Sequence, residues 1–256
     1  LARWTHNGIK MELGPYGWED ETYEIPYTLY RFYGDKGILR QTYPQMRKLV
    51  EKRREFPGMI LPEDPHAPYC DWLSPTGVSP DRFFFSGCYY IHMLDRVGEI
   101  AGILGDTETA EALRKDAQLA KNEFNRRYLC ADGKDYTPHN QCGIVLPVAF
   151  GIAPAEHVGA LADTLAEYVR QADYHVTTGF IGTRYLPEVL ADHGYGTLVY
   201  KLLVQPAAPS WMDMLKDGAS AISESWFGLA DPDGGVSMAH FSLGAITGWF
   251  FEYLGG

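Results

Sequence analysis

Three short joints separate helical segments, and they constrain the fold more than any other feature of the chain. LYRFYGDKGILRQTY places Gly34 before Asp35, EIAGILGDTETAEAL repeats the pair as Gly105 and Asp106, and EVLADHGYGTLVYKLL has Gly194 at its centre. Glycine supplies the left-handed residue that ends a helix, and aspartate caps the next helix and suits its dipole. Joints this tight predict antiparallel helix pairs.

The stretches between the joints have apolar residues at spacings of three and four, as expected for the buried face of a helix. The clearest runs are Ala110, Leu113, Ala117, Ala120, Phe124 and Tyr128; Val158, Leu161, Leu165 and Val169; and Ile91, Leu94, Val97, Ala101 and Leu104. Strand signals are scarce. Two stretches rich in Pro, Gly and Asp, FPGMILPEDPHAPYCDWLSPTGVSP and FGLADPDGGVSMAH, are predicted to be long loops. The 256 residues are therefore predicted to form one mostly helical domain with elaborated loops on one face.

The charge and cysteine patterns exclude several classes of function. A net charge of −11 argues against nucleic acid and anionic membranes as partners, because both would repel the protein. No stretch approaches the roughly 20 apolar residues of a membrane span. Cys70, Cys88, Cys130 and Cys142 lack zinc-site spacing and are expected to be free thiols. DPDGG, at 231–235, is too poor in ligands for a calcium loop, so we expect no metal and no cofactor.

Tryptophans beside carboxylates mark two candidate sugar contacts. In GWEDETYE, Trp18 precedes Asp20 and other acidic residues at the predicted start of a helix, where acidic residues also compensate the helix dipole without any further function. In PYCDWLSP, Asp71 and Trp72 lie in a predicted loop. A tryptophan there is either a plug that folds back onto the core or a platform for a sugar ring. Both interpretations stay open at both places.

The last quarter of the chain holds the remaining candidates, Trp211, Glu224, Trp226 and His240. Glu224, in SAISESWFG, has no Lys or Arg within four positions, so no local ion pair accounts for it. A histidine at the start of an apolar helix is more often structural than catalytic. Serine-nucleophile, phosphate-loop and HExxH motifs are absent, which leaves carboxylate chemistry.

Several stretches resemble, in the same order, one known family. GWEDETYEIPYTLYRFYGD, DWLSP, HVTTGFIGTRYL, PSWMDMLKDGASAISESW and HFSLGAITGWFFEYL are similar to the catalytic domain of glycoside hydrolase family 78, the bacterial α-L-rhamnosidases. The resemblance runs from about Tyr16 to Tyr253. It implies an all-α fold, an (α/α)6 toroid-type helical barrel of α-hairpins, and inverting hydrolysis of terminal α-L-rhamnosides without a cofactor. The implied partner is a rhamnose-containing glycoside or oligosaccharide.

The resemblance also implies roles for individual residues. Glu224 matches the general base, and Asp20 an acidic residue of the tryptophan motif, so both are predicted to be catalytic. Trp18, Trp72 and His240 match residues that line the sugar pocket. Asp71, Trp211 and Trp226 are predicted to bind substrate with them. Gln141, in HNQCG, matches a glutamine-containing loop.

Two departures from the family pattern shape the prediction. The family's general acid lies in an Arg-Asp-Glu-Arg stretch upstream of the tryptophan motif, and that stretch is absent from this sequence. Ser223 and Ser225 flank Glu224 where the family usually carries a tryptophan and a basic residue. We therefore expect an incomplete toroid, or the C-terminal two-thirds of one, with weak or no activity by itself. The alternatives are a silent sugar-binding toroid and a related toroid glycosidase with another sugar specificity.

Overall fold

A computed structural model describes residues 4–6, 9–11, 14–56, 58, 60–61, 63, 69–216, 218–228 and 236–255. These residues fall into two compact units. The first contains residues 1–70 and 81–128, and the second contains residues 71–80 and 129–256. Helices dominate both units.

The first unit begins with a small antiparallel hairpin, β1 (Trp4–His6) and β2 (Ile9–Met11). Four helices follow: α1 (Glu21–Tyr33), α2 (Lys36–Arg53), α3 (Arg82–Leu104) and α4 (Thr107–Tyr128). α1 packs on α2, α2 on α3, and α3 on α4. The hairpin was not predicted, because strands of three residues carry too little alternation to be recognised.

The two joints of this unit form as predicted. Gly34 ends α1 with φ of 70°, and the Asp35 side chain accepts a hydrogen bond from the Gly37 backbone nitrogen at the start of α2. Gly105 ends α3 with φ of 87°, and the backbone nitrogen of Thr109 in α4 donates to Asp106. Each glycine takes the left-handed conformation that other residues adopt only at a cost.

The second unit contains α5 (Gln141–Ala149), α6 (Val158–Gln171), α7 (Phe180–Asp192) and α8 (Gly196–Leu203). Short helices follow: α9 (Trp211–Met214), α10 (Phe241–Gly244), α11 (Ile246–Trp249) and a π-helical turn, Phe250–Leu254. α5 packs on α6 and α7, and α7 also contacts α8, α10 and α11. The joint at Gly194 forms with φ of 86°, but Tyr195 precedes α8 and gives it no side-chain cap.

The predicted helical faces are buried except at Leu104, Tyr128 and Val158, which are half-buried. In α4 the buried positions are Ala110, Leu113, Ala117, Ala120 and Phe124; in α6 they include Leu161, Leu165 and Val169; in α3 they include Ile91, Leu94, Val97 and Ala101. All four cysteines are free, although only Cys88 and Cys142 are buried. Across the described residues, no helix is long and apolar enough to cross a membrane.

Candidate active site

Asp71 holds the beginning of α7 from a distance. Its side chain is buried and accepts hydrogen bonds from the backbone nitrogens of Gly179 at 2.8 Å, Ile181 at 3.0 Å and Gly182 at 2.8 Å. The backbone nitrogen of Phe180 donates to the carbonyl of Trp72 at 2.9 Å. Residues 71 and 72 therefore satisfy the donors that a helix leaves unpaired at its N-terminus. Burial raises the pKa of the Asp71 carboxyl, although these donors lower it.

Gln141 fixes the segment that leads into α7. Its side-chain oxygen accepts from the Thr177 nitrogen at 2.9 Å, and its amide nitrogen donates to the His175 carbonyl at 3.1 Å. The Ser74 hydroxyl donates to the Thr177 carbonyl at 2.9 Å. Together with Asp71, which binds Gly179, the side chains of Gln141 and Ser74 therefore hold the HVTTGF stretch along its length.

A stack of rings connects α7 with the predicted sugar-binding histidine. The Phe180 and His240 rings are stacked with centroids 5.0 Å apart, and the His240 and Phe241 rings are stacked at 4.9 Å. His240 also caps α10, since its Nδ1 accepts from the Ser242 nitrogen at 3.3 Å. The structural and the sugar-binding interpretations of this histidine are therefore compatible. Trp72, with 43% of its surface exposed, is the most accessible of the predicted tryptophans in the second unit.

Glu224 lies on a segment that is hydrogen-bonded to the residues before α10. Its backbone nitrogen donates to the Ser237 carbonyl at 2.8 Å, and its Oε2 accepts from the Ser237 nitrogen at 2.9 Å. The His240 nitrogen donates to the Ile222 carbonyl at 2.8 Å, so Glu224 and His240 lie on neighbouring segments. The side chain is half-buried, and among the described residues it forms no ion pair.

Trp211 and Trp226 are buried, with 4% and 2% of their surfaces exposed. Their rings meet edge to face with centroids 5.0 Å apart, and the Trp211 indole donates to the Leu243 carbonyl at 3.0 Å. The segment that carries Glu224 and Trp226 is thus packed on α9, and α9 is hydrogen-bonded to α10. Their predicted substrate-binding role stays a prediction.

Trp18 and Asp20 belong to the first unit. Asp20 precedes α1 but does not cap it with its side chain; instead, its Oδ1 accepts a hydrogen bond from the Tyr23 hydroxyl. Its Oδ2 is buried and has no hydrogen-bond partner among the described residues. Burial raises the pKa of this carboxyl to about 7, although the Tyr23 hydrogen bond lowers it. Trp18 packs edge to face on Tyr69 at 5.3 Å.

A buried ion pair anchors the turn that carries Trp18. The Arg53 guanidinium, at the end of α2, donates to Glu19 at 3.0 Å and to the Gly14 carbonyl at 2.5 Å. It also lies over the Tyr16 ring, 3.8 Å from the centroid. One cation therefore holds the turn at three points, which fixes the backbone on which Trp18 and Asp20 stand.

Three residues that contact or position the candidate site residues were not predicted from the sequence. Phe180 lies inside the HVTTGF motif, which was the available signal for it. Ser237 gave no signal, because its contact with Glu224 uses only backbone atoms of the serine. Arg53 resembles an ordinary basic residue in the last turn of a helix.

Within the described ranges, no three His, Cys, Asp or Glu side chains are grouped as metal ligands. The DPDGG stretch, weighed as a calcium loop in the sequence, lies outside the described residues. The candidate site residues described in the two units therefore offer carboxyl groups and aromatic rings.

Comparison with known proteins finds similarity to α-L-rhamnosidases. The chain is 30% identical over 257 residues to an α-L-rhamnosidase of Streptomyces avermitilis, an alignment that covers 95% of this chain and 24% of the relative. An α-L-rhamnosidase of Formosa agariphila is also 30% identical, over 254 residues that cover 94% of this chain and 27% of the relative. The chain thus spans about a quarter of the length of the curated relatives it matches.

Solved structures agree with this result. The crystal structure of the Streptomyces avermitilis α-L-rhamnosidase complexed with L-rhamnose superposes with a TM-score of 0.86 at 27% identity, covering 97% of this chain and 24% of that one. The α-L-rhamnosidase from Dictyoglumus thermophilum gives 0.85 at 28% identity, covering 96% and 28%.

The family comparison covers nearly the whole chain. Residues 7–254 match the bacterial alpha-L-rhamnosidase 6 hairpin glycosidase domain. The predicted all-α fold of the (α/α)6 class is confirmed by this match and by the solved structures, over the part of their chains that is covered. The chain therefore belongs to the bacterial α-L-rhamnosidase six-hairpin glycosidase domain family.

Proposed function

We propose that the protein hydrolyses terminal α-L-rhamnosides with inversion, and that Glu224 is the general base. In inverting hydrolysis a carboxylate activates water on one face of the sugar, while a carboxylic acid protonates the leaving oxygen on the other. The family match supports glycosidase chemistry, and the L-rhamnose bound in the Streptomyces avermitilis enzyme supports the choice of sugar.

The observation that carries the proposal is the bonding of the Glu224 carboxylate. One backbone donor, the Ser237 nitrogen, fixes Oε2, whereas Oε1 accepts no hydrogen bond from the described residues. The carboxylate is therefore oriented by one bond, and a general base acts through an oxygen within hydrogen-bond reach of the water. His240 and Trp72 supply rings for the sugar, and Asp71 assists by holding the segment that carries Trp72.

Asp20 contributes a different kind of carboxyl group. Because its pKa is raised to about 7, it still holds a proton near neutral pH, when ordinary carboxyl groups are ionised. A protonated acid can donate a hydrogen bond to a sugar oxygen or a proton to a leaving group. We therefore propose a catalytic role for Asp20, with Trp18 near it in the first unit, as a separate proposal from the role of Glu224.

The test is hydrolysis of an aryl α-L-rhamnoside by the wild type and by Glu224→Gln. The glutamine carbonyl still accepts the Ser237 hydrogen bond, so the variant should fold normally while it loses the base. Turnover should fall about 10²- to 10⁴-fold, and the first sugar product of the wild type should have the inverted anomeric configuration by proton NMR. Glu156→Gln, at an exposed glutamate of the same unit, is the matched control and should keep full turnover.

Three outcomes would contradict the proposal. Turnover that survives Glu224→Gln would exclude Glu224 as the base. Binding of L-rhamnose without any hydrolysis by the wild type would instead identify a silent sugar-binding domain. Faster cleavage of another aryl glycoside would overturn the choice of rhamnose.

A further inference from the structure

Phe241 is an exposed aromatic ring beside the proposed sugar site. It has 81% of its surface exposed, yet its ring is stacked on His240 at an interplanar angle of 20°. His240 is in turn stacked on the buried Phe180 at an angle of 25°. Phe241 is thus held in place by contact with His240, although solvent surrounds most of it.

The position of Phe241 follows from backbone hydrogen bonds. It directly succeeds His240, whose nitrogen bonds to the Ile222 carbonyl, and Glu224 follows two residues after Ile222. Ser237 bonds to Glu224 from the same segment that leads to Phe241. The exposed ring and the proposed general base therefore belong to one pair of neighbouring segments.

The segment that carries the ring is uncharged and partly apolar. The stretch VSMAHFSL, residues 236–243, contains no Lys, Arg, Asp or Glu. Met238 on this segment and Phe227 on the Glu224 segment are 36% and 41% exposed. Exposed apolar side chains of this kind attract flat apolar groups.

We propose that Phe241 forms a second binding subsite, which holds a flat apolar group bonded to the rhamnose that Glu224 and His240 serve. The subsite rests on the proposed function, because it names the kind of aglycone that the site accepts. The Phe241 ring stacks on an aromatic aglycone or on the C–H face of a sugar. Methyl α-L-rhamnoside, which lacks such a group, does not use it.

The test compares Phe241→Ala with Phe32→Ala for binding of phenyl α-L-rhamnoside and of free L-rhamnose. Phe32, on α1 in the other unit, is 80% exposed and so matches Phe241 in the surface that is removed. Since one aromatic stack contributes roughly 1 kcal/mol, Phe241→Ala should weaken binding of the phenyl glycoside about 5-fold. Its affinity for free L-rhamnose should not change, Phe32→Ala should change neither affinity, and Phe241→Tyr should restore binding.

The outcomes separate the subsite from the proposed function. Equal weakening of free L-rhamnose and the phenyl glycoside, or no effect of Phe241→Ala on either, would overturn the subsite and leave the glycosidase proposal intact. A wild-type protein that binds neither compound would overturn both. Binding is the readout, so the test does not depend on turnover.

Discussion

The carboxylate of Asp71 accepts a hydrogen bond of 2.8 Å from the backbone nitrogen of Gly182, 111 residues further along the chain. The same carboxylate accepts from Gly179 and Ile181, so one side chain satisfies three of the donors that are left without intrahelical partners at the start of α7. This contact joins the backbone that carries Trp72 to the start of α7, where Phe180 stacks on His240. The candidate site therefore depends on a residue whose own oxygens are already engaged by the backbone.

Substitutions of Asp71 should destabilise the protein in a graded order. Asp71→Ala leaves three buried N–H groups without an acceptor and should lower the free energy of unfolding by at least about 3 kcal/mol. In Asp71→Asn, the remaining oxygen can still accept from Ile181 and Gly182, but the new amide faces the Gly179 N–H, so the loss should be about 1–3 kcal/mol. Urea unfolding measures both.

Glu167→Gln is the control for these variants. Its side chain is 53% exposed and lies 3.5 Å from Arg170 on α6, so its loss should cost no more than about 1 kcal/mol. If Asp71→Ala were no more destabilising than Glu167→Gln, the three hydrogen bonds would contribute nothing to the stability of the second unit.

The local features of the fold were predictable from the sequence, and the distant contacts were not. Gly34 ends one helix through its own backbone and Asp35 caps the next with its side chain, so a few residues of sequence are enough to predict this joint. Asp71 beside Trp72 resembles a sugar-contact pair, and only the tertiary structure brings the backbone of residues 179–182 to its carboxylate. The Glu224 segment likewise depends on Ser237, 13 residues away.

Gly179 should tolerate no side chain, for steric reasons alone. A Cβ at this position would lie 2.2 Å from the carbonyl oxygens of Asp71 and Trp72, and both are backbone atoms that cannot rotate away. Gly179→Ala must therefore push residues 71–72 away from α7, which weakens the Asp71 hydrogen bonds. We expect a loss of about 3 kcal/mol or more, together with an altered Trp72 fluorescence spectrum.

Gly159→Ala is the matched control for Gly179→Ala. Gly159 lies within α6, and a Cβ added there would meet no other part of the chain within 4 Å, so alanine fits. Because alanine is the better helix former, this variant should be neutral or more stable by up to about 1 kcal/mol. Equal stability of the two variants in urea would contradict the close packing of residues 71–72 against Gly179.

Asp20 should make stability depend on pH in a way that Asp20→Asn removes. Its pKa is raised from 3.8 to about 7 by burial, so the folded protein holds a proton that the unfolded chain releases within this range. The unfolded state then binds fewer protons, and the free energy of unfolding falls as pH rises from about 4 to about 7. Asp20→Asn does not titrate, so its stability relative to wild type should increase over the same range.

Tyr23→Phe should extend this pH range at its upper end. The Tyr23 hydroxyl donates to Asp20 and lowers the pKa of the carboxyl, so its removal should raise the folded-state pKa further, whereas the lower end, set by the unfolded chain, should not change. Urea midpoints of wild type, Asp20→Asn and Tyr23→Phe, measured across about pH 4 to 8, test both statements. A difference between wild type and Asp20→Asn that stays constant with pH would show that Asp20 is ionised throughout. It could then not hold a proton for the sugar near neutral pH.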